Sequence, residues 1–492
     1  MTEKKKKFYI TTTLPYVNAE PHIGFALEII HADVIARYYH QQGYEVFFNT
    51  GVDEHGLKIF RKSQEKNLKP QAYCDIYAKR YKNLKQALNL SYNSFIRTTD
   101  PHHIKAAQEF WRRCDKNGDI YKKDYKIKYC VGCELEKTES ELVEGGCPIH
   151  PDEKLEIIKE ENYFFRYSRY QDKLLELYQK NPQFVVPESR LNEIEEFTKR
   201  GLEDFSISRL KEKMPWGIPV PGDDKHIIYV WFDALINYIS CLGWPDSLEK
   251  FDHFWPGVQI AGKDNLRQQS SMWQAMLISA GLSISEQIFI HGFITSGGQK
   301  MSKSLGNVVS PFELVEKYGT DTVRYFLLRE IPSTEDGDFT YEKFEQRYNS
   351  DLAKGLGNLI ARVVTLAKNS KFEIPDLHPP KFSKKTWAGR QIQNPKFKTI
   401  INKTQENYRK ALEEFRFNEA LIEIWDLISF CDKYIEKERP WEESKNQKEV
   451  IGNLLLVLNE IAKLLQPFLP ETSEKIFQQL KTRKSKPLFP RI

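Results

Sequence analysis

The chain has 492 residues, 40% of them hydrophobic and 13% aromatic, which is too long for one ordinary core and apolar enough to build three or four units. No run of about 18 uncharged apolar residues occurs, so a bilayer-spanning helix is excluded and no membrane partner is expected. Net charge is only +5, yet residues 346–492 carry 27 Lys and Arg against 18 Asp and Glu while the preceding part carries 46 against 50, so the basic surplus sits at one end, as a nucleic-acid partner or a lysine-rich solvated surface would require.

The basic start, Met1 to Lys7, runs into a polar strand and not an apolar stretch, which predicts a cytoplasmic chain. Phe8 to Thr13 is extended and β-branched, and Phe25 to Tyr39 repeats apolar residues at helical spacing. Pro21-His22-Ile23-Gly24 therefore falls where a strand turns into a helix N-terminus, with free N–H groups and the positive end of the helix dipole available to an anion. Gly24 lets a base or phosphate approach the backbone, and His22 adds a donor. Glu45 to Thr50 reads as a second strand and Leu57 opens a second helix, a βαβ rhythm that predicts a parallel sheet covered by helices. His22 and Asp53 both fall beyond the carboxyl ends of its strands, where ligands bind such sheets.

From about Asp119 to His226 the rhythm breaks, which reads as an insertion between halves of the sheet, with amphipathic segments at Tyr170 to Gln179 and Arg190 to Lys199. Within it Cys130-x-x-Cys133 and Cys147-x-x-His150 have the spacing of paired chelating turns, and three thiolates plus one imidazole would close a tetrahedral, structural zinc shell. The other four cysteines are scattered, which argues against a disulfide framework. The sheet is expected to resume at His226 to Trp231, Gly257 to Ala261 and Gln287 to His291. A loop, Thr295 to Gln299, then leads to Lys300-Met301-Ser302-Lys303-Ser304, whose two ammonium groups could neutralise a departing pyrophosphate. From about Tyr348 the text is helical, interrupted by a Pro- and Lys-rich connector, Pro375 to Lys385. Ile451, Leu454, Leu458, Ile461 and Leu465 keep one core-facing stripe that Pro467 closes. Alone, each short string is as readily packing or solvated surface.

In this order the His22 and Lys300 strings resemble the "HIGH" and "KMSKS" signatures of class I aminoacyl-tRNA synthetases. Leu14 to Gly24, Gly51-Val52-Asp53-Glu54-His55-Gly56, Val230-Trp231-Phe232-Asp233-Ala234 and Ala261-Gly262-Lys263-Asp264 narrow the resemblance to the methionyl-tRNA synthetase family over nearly the whole chain. That resemblance implies an α/β class: a Rossmann-like catalytic domain in two halves, residues 1–118 and 227–292, split by a zinc-bearing connective insertion, 119–226. A linking unit, 293–346, and an α-helical anticodon-binding domain, 347–492, follow. It implies activation of L-methionine by ATP with Mg²⁺ on the phosphates, then transfer to initiator and elongator tRNA(Met), by a monomer. His22, Gly24, Lys300 and Lys303 would bind ATP and stabilise its transition state. Leu14, Tyr16, Trp231, Ala234, Leu235 and Tyr238 would line the methionine pocket, with Asp53 on the substrate ammonium. Asn358, Arg362, Pro440 and Trp441 would meet the CAU anticodon by stacking and base-edge contacts.

Two departures stand out. Phe25 replaces the second histidine of the first signature, and Asn265 and Gln269 make the pocket wall after Gly262-Lys263-Asp264 more amide-like than in relatives. An isoleucine, valine or leucine synthetase is the nearest alternative, though the insertion is short for their hydrolytic domain. An adenylyltransferase that never meets tRNA, or a silent tRNA-binding paralogue, are the others.

Overall fold

Six parallel strands form the central sheet of the computed structural model, which describes residues 6–137, 142–301, 306–369, 394–442 and 446–490. β1 (Lys7–Thr12) lies in the middle, with β2 (Glu45–Val52) and β3 (Ser94–Arg97) stepping outward on one side. The chain then crosses over, and strands Val258–Gly262, Gln287–His291 and Val185–Val186 step outward on the other. Strand order therefore reverses between β1 and Val258–Gly262, which opens a crevice at the carboxyl ends there. Helix α1 (Ile23–Gln41) follows β1, and its apolar face, Ile23, Ala26, Leu27, Ile30 and Val34, is at most 1% exposed. That burial explains why this stretch is helical: the stripe has nowhere else to go.

The insertion is built on a long antiparallel hairpin, Ile120–Cys130 against Glu156–Phe165, in register from Ile120 opposite Phe165 to Tyr129 opposite Glu156. The cysteine turns sit at its tip. Helices Gln171–Lys180 and Glu188–Lys199 match the expected amphipathic segments.

One expectation is corrected. The run from His226 does not rejoin the parallel sheet. Asp223–Ile228 pairs antiparallel with Ser208–Leu210 and Pro219–Val220, and Val230–Ala234 is already helical. The Tyr229 amide donates to the Ile207 carbonyl at 2.8 Å, so this apolar run is claimed by insertion strands; a short buried run does not reveal its partner by pattern alone. Conversely, Val185–Val186, inside the expected insertion, forms an edge of the central sheet beside Ile288.

The C-terminal part is a helical bundle that includes Asn358–Asn369, Phe417–Glu438 and Gln447–Leu465. The predicted stripe of Ile451, Leu454, Leu458, Ile461 and Leu465 is buried. The connector Pro375 to Lys385 lies outside the described residues. Bundle and sheet share one continuous core, and at their junction a fully buried Arg324 pairs with Asp33 of α1 at 2.8 Å. Its remaining donors reach the carbonyls of Phe468 (2.7 Å), Pro467 (2.9 Å) and Leu88 (3.1 Å). Asp33 also accepts from Arg37 at 2.8 Å and from the Ser91 amide and hydroxyl at 2.6 and 2.7 Å.

Candidate active site

The segments after β1 and β2 are stitched together at the crevice. The Asp53 amide donates to the Pro15 carbonyl at 3.0 Å and the Val17 amide to the Asp53 carbonyl at 3.2 Å, which sets Tyr16 opposite Asp53. His22 is the N-cap of α1, and its Nδ1 accepts from the Gly24 amide at 3.0 Å. Burial holds the imidazole below its ordinary pKa, so it is neutral at pH 7, and with Nδ1 committed as acceptor its proton sits on Nε2, ready to donate. Glycine is needed next door: a Cβ at Gly24 would lie 2.8 Å from His22 Cε1. Phe25 packs edge-on against Tyr81 with centroids 5.4 Å apart, so the position of the second signature histidine is given to packing.

The lysine string approaches from the far side of the sequence. Met301 Cε lies 3.9 Å from the place a Gly24 Cβ would take, so the start of that string adjoins the His22 turn. Lys300 is exposed and donates to the Ile149 carbonyl at 3.2 Å, at the cysteine turns. Lys303 lies outside the described residues.

Beside this turn, Tyr16 and Trp231 meet edge to face with centroids 6.4 Å apart, and the Tyr16 hydroxyl and Trp231 Nε1 are buried with no partner among the described residues. Ala234, Leu235 and Tyr238 are buried, and Leu14 packs against the same core. Gln269 donates its amide to the Tyr238 hydroxyl at 2.7 Å, which leaves that hydroxyl its proton to give. Asn265 donates to Asp264 at 3.1 Å instead of into this cluster. Asp53 is buried; the His55 amide at 3.3 Å and the Thr98 hydroxyl at 3.4 Å both reach Oδ1, leaving Oδ2 for a cation. Burial and the nearby Asp233 carboxylate push Asp53 well above the usual carboxylate range, a penalty that an ammonium ligand removes. Apolar side chains around a buried Asp53 whose Oδ2 is left for a cation, beside a helix N-terminus, suit an amino acid next to a nucleotide.

Residues the sequence reading did not single out complete the site. Asp233 is fully buried, with Oδ2 2.6 Å from His55 Nδ1 and Oδ1 2.8 Å from His103 Nε2. Glu28 of α1 accepts from the Thr13 amide at 2.8 Å and faces His291 Nε2 at 3.1 Å, tying β1, α1 and the Gln287–His291 strand together. His55 and Asp233 lie inside strings quoted above for their resemblance; polar residues within apolar runs were the available signal.

Curated relatives at 41–43% identity align with nearly all of this chain, which spans about three quarters of their own length. A methionine–tRNA ligase of Caldanaerobacter subterraneus is 43% identical over 97% of this chain and 74% of its own length, and that of Thermotoga maritima 41% over 96% and 75%. The family model "tRNA synthetases class I (M)" matches residues 8–156 and 149–364. The chain belongs to the methionyl-tRNA synthetase family. The Mycobacterium tuberculosis methionyl-tRNA synthetase in complex with methionyl-adenylate superimposes with a TM-score of 0.89 at 36% identity, covering 99% of this chain and all of that one. Its free form superimposes at 0.83.

A second family model, "Anticodon-binding domain of tRNA ligase", matches residues 396–489. Asn358 and Arg362 lie on one helix, where Asn358 is exposed and Arg362 donates to Glu436 at 2.6 Å. Pro440 is buried, and Trp441 is 50% exposed, which sets it apart from a hydrophobic plug. At the hairpin tip Cys133 Sγ is 3.1 Å from His150 Nδ1 and 3.5 Å from Cys147 Sγ, and Cys130 Sγ is 3.8 Å from His150 Nδ1. All four ligand atoms lie within 4.8 Å of one another. Bonds of about 2.3 Å to a tetrahedral zinc require edges of about 3.8 Å, so the set fits that ion. Among the described residues no helix is long and apolar enough to cross a membrane.

Proposed function

We propose a division of labour among the named residues for ATP-dependent ligation of methionine to tRNA, which is the activity of this synthetase. Methionine enters the cleft of Leu14, Tyr16, Trp231, Ala234, Leu235 and Tyr238, with its ammonium on Asp53. A soft thioether wants an apolar wall with a weak polar touch, and the spare proton of Tyr238 supplies one. Its carboxylate attacks the α-phosphorus of ATP, forming the acyl-phosphate bond as the bond to pyrophosphate breaks. His22 Nε2–H and the N-terminus of α1 stabilise the charge at phosphorus, and Lys300 and Lys303 take the pyrophosphate, with Mg²⁺ arriving on the nucleotide. Positioning and fixed charge suffice, with no covalent enzyme intermediate. The terminal ribose hydroxyl of tRNA(Met), initiator or elongator, then takes the methionyl group. Trp441 stacks on an anticodon base, with Pro440 fixing its turn and Asn358 and Arg362 beside it. Cys130, Cys133, Cys147 and His150 hold one zinc whose closed shell leaves it structural. The enzyme acts as a cytoplasmic monomer.

The observations that support this reading are the pairing of Asp53 with Tyr16 and the approach of Met301 to the His22 turn. ATP–pyrophosphate exchange dependent on methionine tests it: exchange collapses in Lys303→Ala. Unaltered exchange in that variant refutes the assigned phosphate site.

A further inference from the structure

Two halves of the amino-acid pocket come from segments far apart in sequence. The ionic half is Asp53, on the loop after β2, and the apolar half is Trp231 and Ala234, on the short helix Val230–Ala234. A five-residue helix has little backbone bonding of its own to hold it in place. The polar side chain of that helix that is fully buried is Asp233, which divides its two oxygens between two imidazoles. His55, on Oδ2, stands two residues after Asp53, and its own backbone amide bonds the Asp53 carboxylate. His103, on Oδ1, belongs to the helix Pro101–Lys116, and its Nδ1 meets the Ser240 hydroxyl at 2.8 Å. The first of these contacts sets the proton: an ionised carboxylate only accepts, so His103 Nε2 carries the proton given to Asp233.

We infer that Asp233 is a positioning residue for the amino-acid site: its paired bonds to His55 and His103 lock the Trp231 helix against the Asp53 loop, so the apolar and ionic halves of the pocket keep one spacing. The inference rests on the assignment of Asp53 and Trp231 to the amino-acid pocket. Replacing the carboxylate by an amide leaves one oxygen to accept and turns an N–H toward the other imidazole, which keeps a bond only by shifting its proton to its opposite nitrogen and loses the charge of the carboxylate, so one of the two locks is weakened while the volume stays the same. The nucleotide turn at His22 is held by other contacts, to Gly24 and through the Ile23 amide to the Val309 carbonyl. Loss of the lock therefore falls on methionine and spares ATP.

Steady-state pyrophosphate exchange, together with calorimetric titration of L-methionine, reads this directly. In Asp233→Asn the KM and the calorimetric Kd for methionine rise at least tenfold, while the KM for ATP stays within twofold. His103→Ala raises the methionine KM similarly. His103→Gln, whose amide can still donate to Asp233, restores it to within about threefold of the unaltered chain; this pair decides the matter if Asp233→Asn does not fold. Parallel increases in both KM values, or variants with lowered melting temperature and an unchanged methionine KM, would overturn the inference by making Asp233 a general structural group. If the unaltered chain itself shows no exchange with methionine, the pocket assignment falls, and the inference with it.

Discussion

Arg324→Met puts the junction between catalytic sheet and helical bundle under test. The guanidinium is fully buried and satisfies four acceptors at once: the Asp33 carboxylate on α1 and the carbonyls of Leu88, Pro467 and Phe468. Methionine fills most of the volume but supplies no donor. Removing one partner of a buried ion pair costs about 3–5 kcal/mol, chiefly because the other charge is left behind. Asp33 keeps Arg37 and Ser91, which draws the loss toward the lower end, while three orphaned carbonyls draw it upward. A destabilisation of about 3–5 kcal/mol is therefore expected, read as a lowered urea midpoint by circular dichroism. The same lesion should impair charging of tRNA more than pyrophosphate exchange, because it loosens the bundle against α1 and leaves the cleft intact. A shift below about 1 kcal/mol would refute the reasoning, since surface pairs contribute no more than that.

The acid limb of stability follows from the same pair. Against burial, which raises it, Arg324 and then Arg37 and Ser91 hold the Asp33 carboxyl below its ordinary value. Its contribution is thus present above the ordinary carboxylate pKa of about 3.9 and is lost as pH falls below it; in Arg324→Met the folded carboxyl loses its main lowering partner, so less stability is lost on acidification, measurable by urea unfolding between pH 6 and 3. His22→Ala removes the Nε2 donor and should lower exchange about 10²-fold with the melting temperature nearly unchanged. Cys147→Ser breaks the zinc shell, so metal content by atomic absorption falls from one per chain toward zero. Trp441→Ala removes a half-exposed stacking face worth about 1–3 kcal/mol, raising the KM for tRNA roughly 5- to 150-fold while exchange stays within twofold.

Much of this architecture was legible in the text because local and global signals agree. The β-branched run before His22, the stripe of α1 and the stripe from Ile451 to Leu465 each bury the face their periodicity marks. Cysteine spacing works for a similar reason, since chelating turns are local geometry. The run at His226 was misassigned because buried strands look alike whichever sheet accepts them, and Val185–Val186 was invisible because two residues carry no period. The Asp233 cluster and Arg324 escaped notice for another reason. Their meaning lies in partners 130 to 291 residues away, such as His103 for Asp233 and Asp33 for Arg324, and no spacing rule encodes such meetings.

Selection of methionine for attack on ATP is assigned to the cleft beside His22. Pyrophosphate exchange measured with each of the twenty amino acids tests it most directly. The highest kcat/KM is expected with L-methionine; exchange that runs best with isoleucine, or with none of the twenty, would refute that assignment.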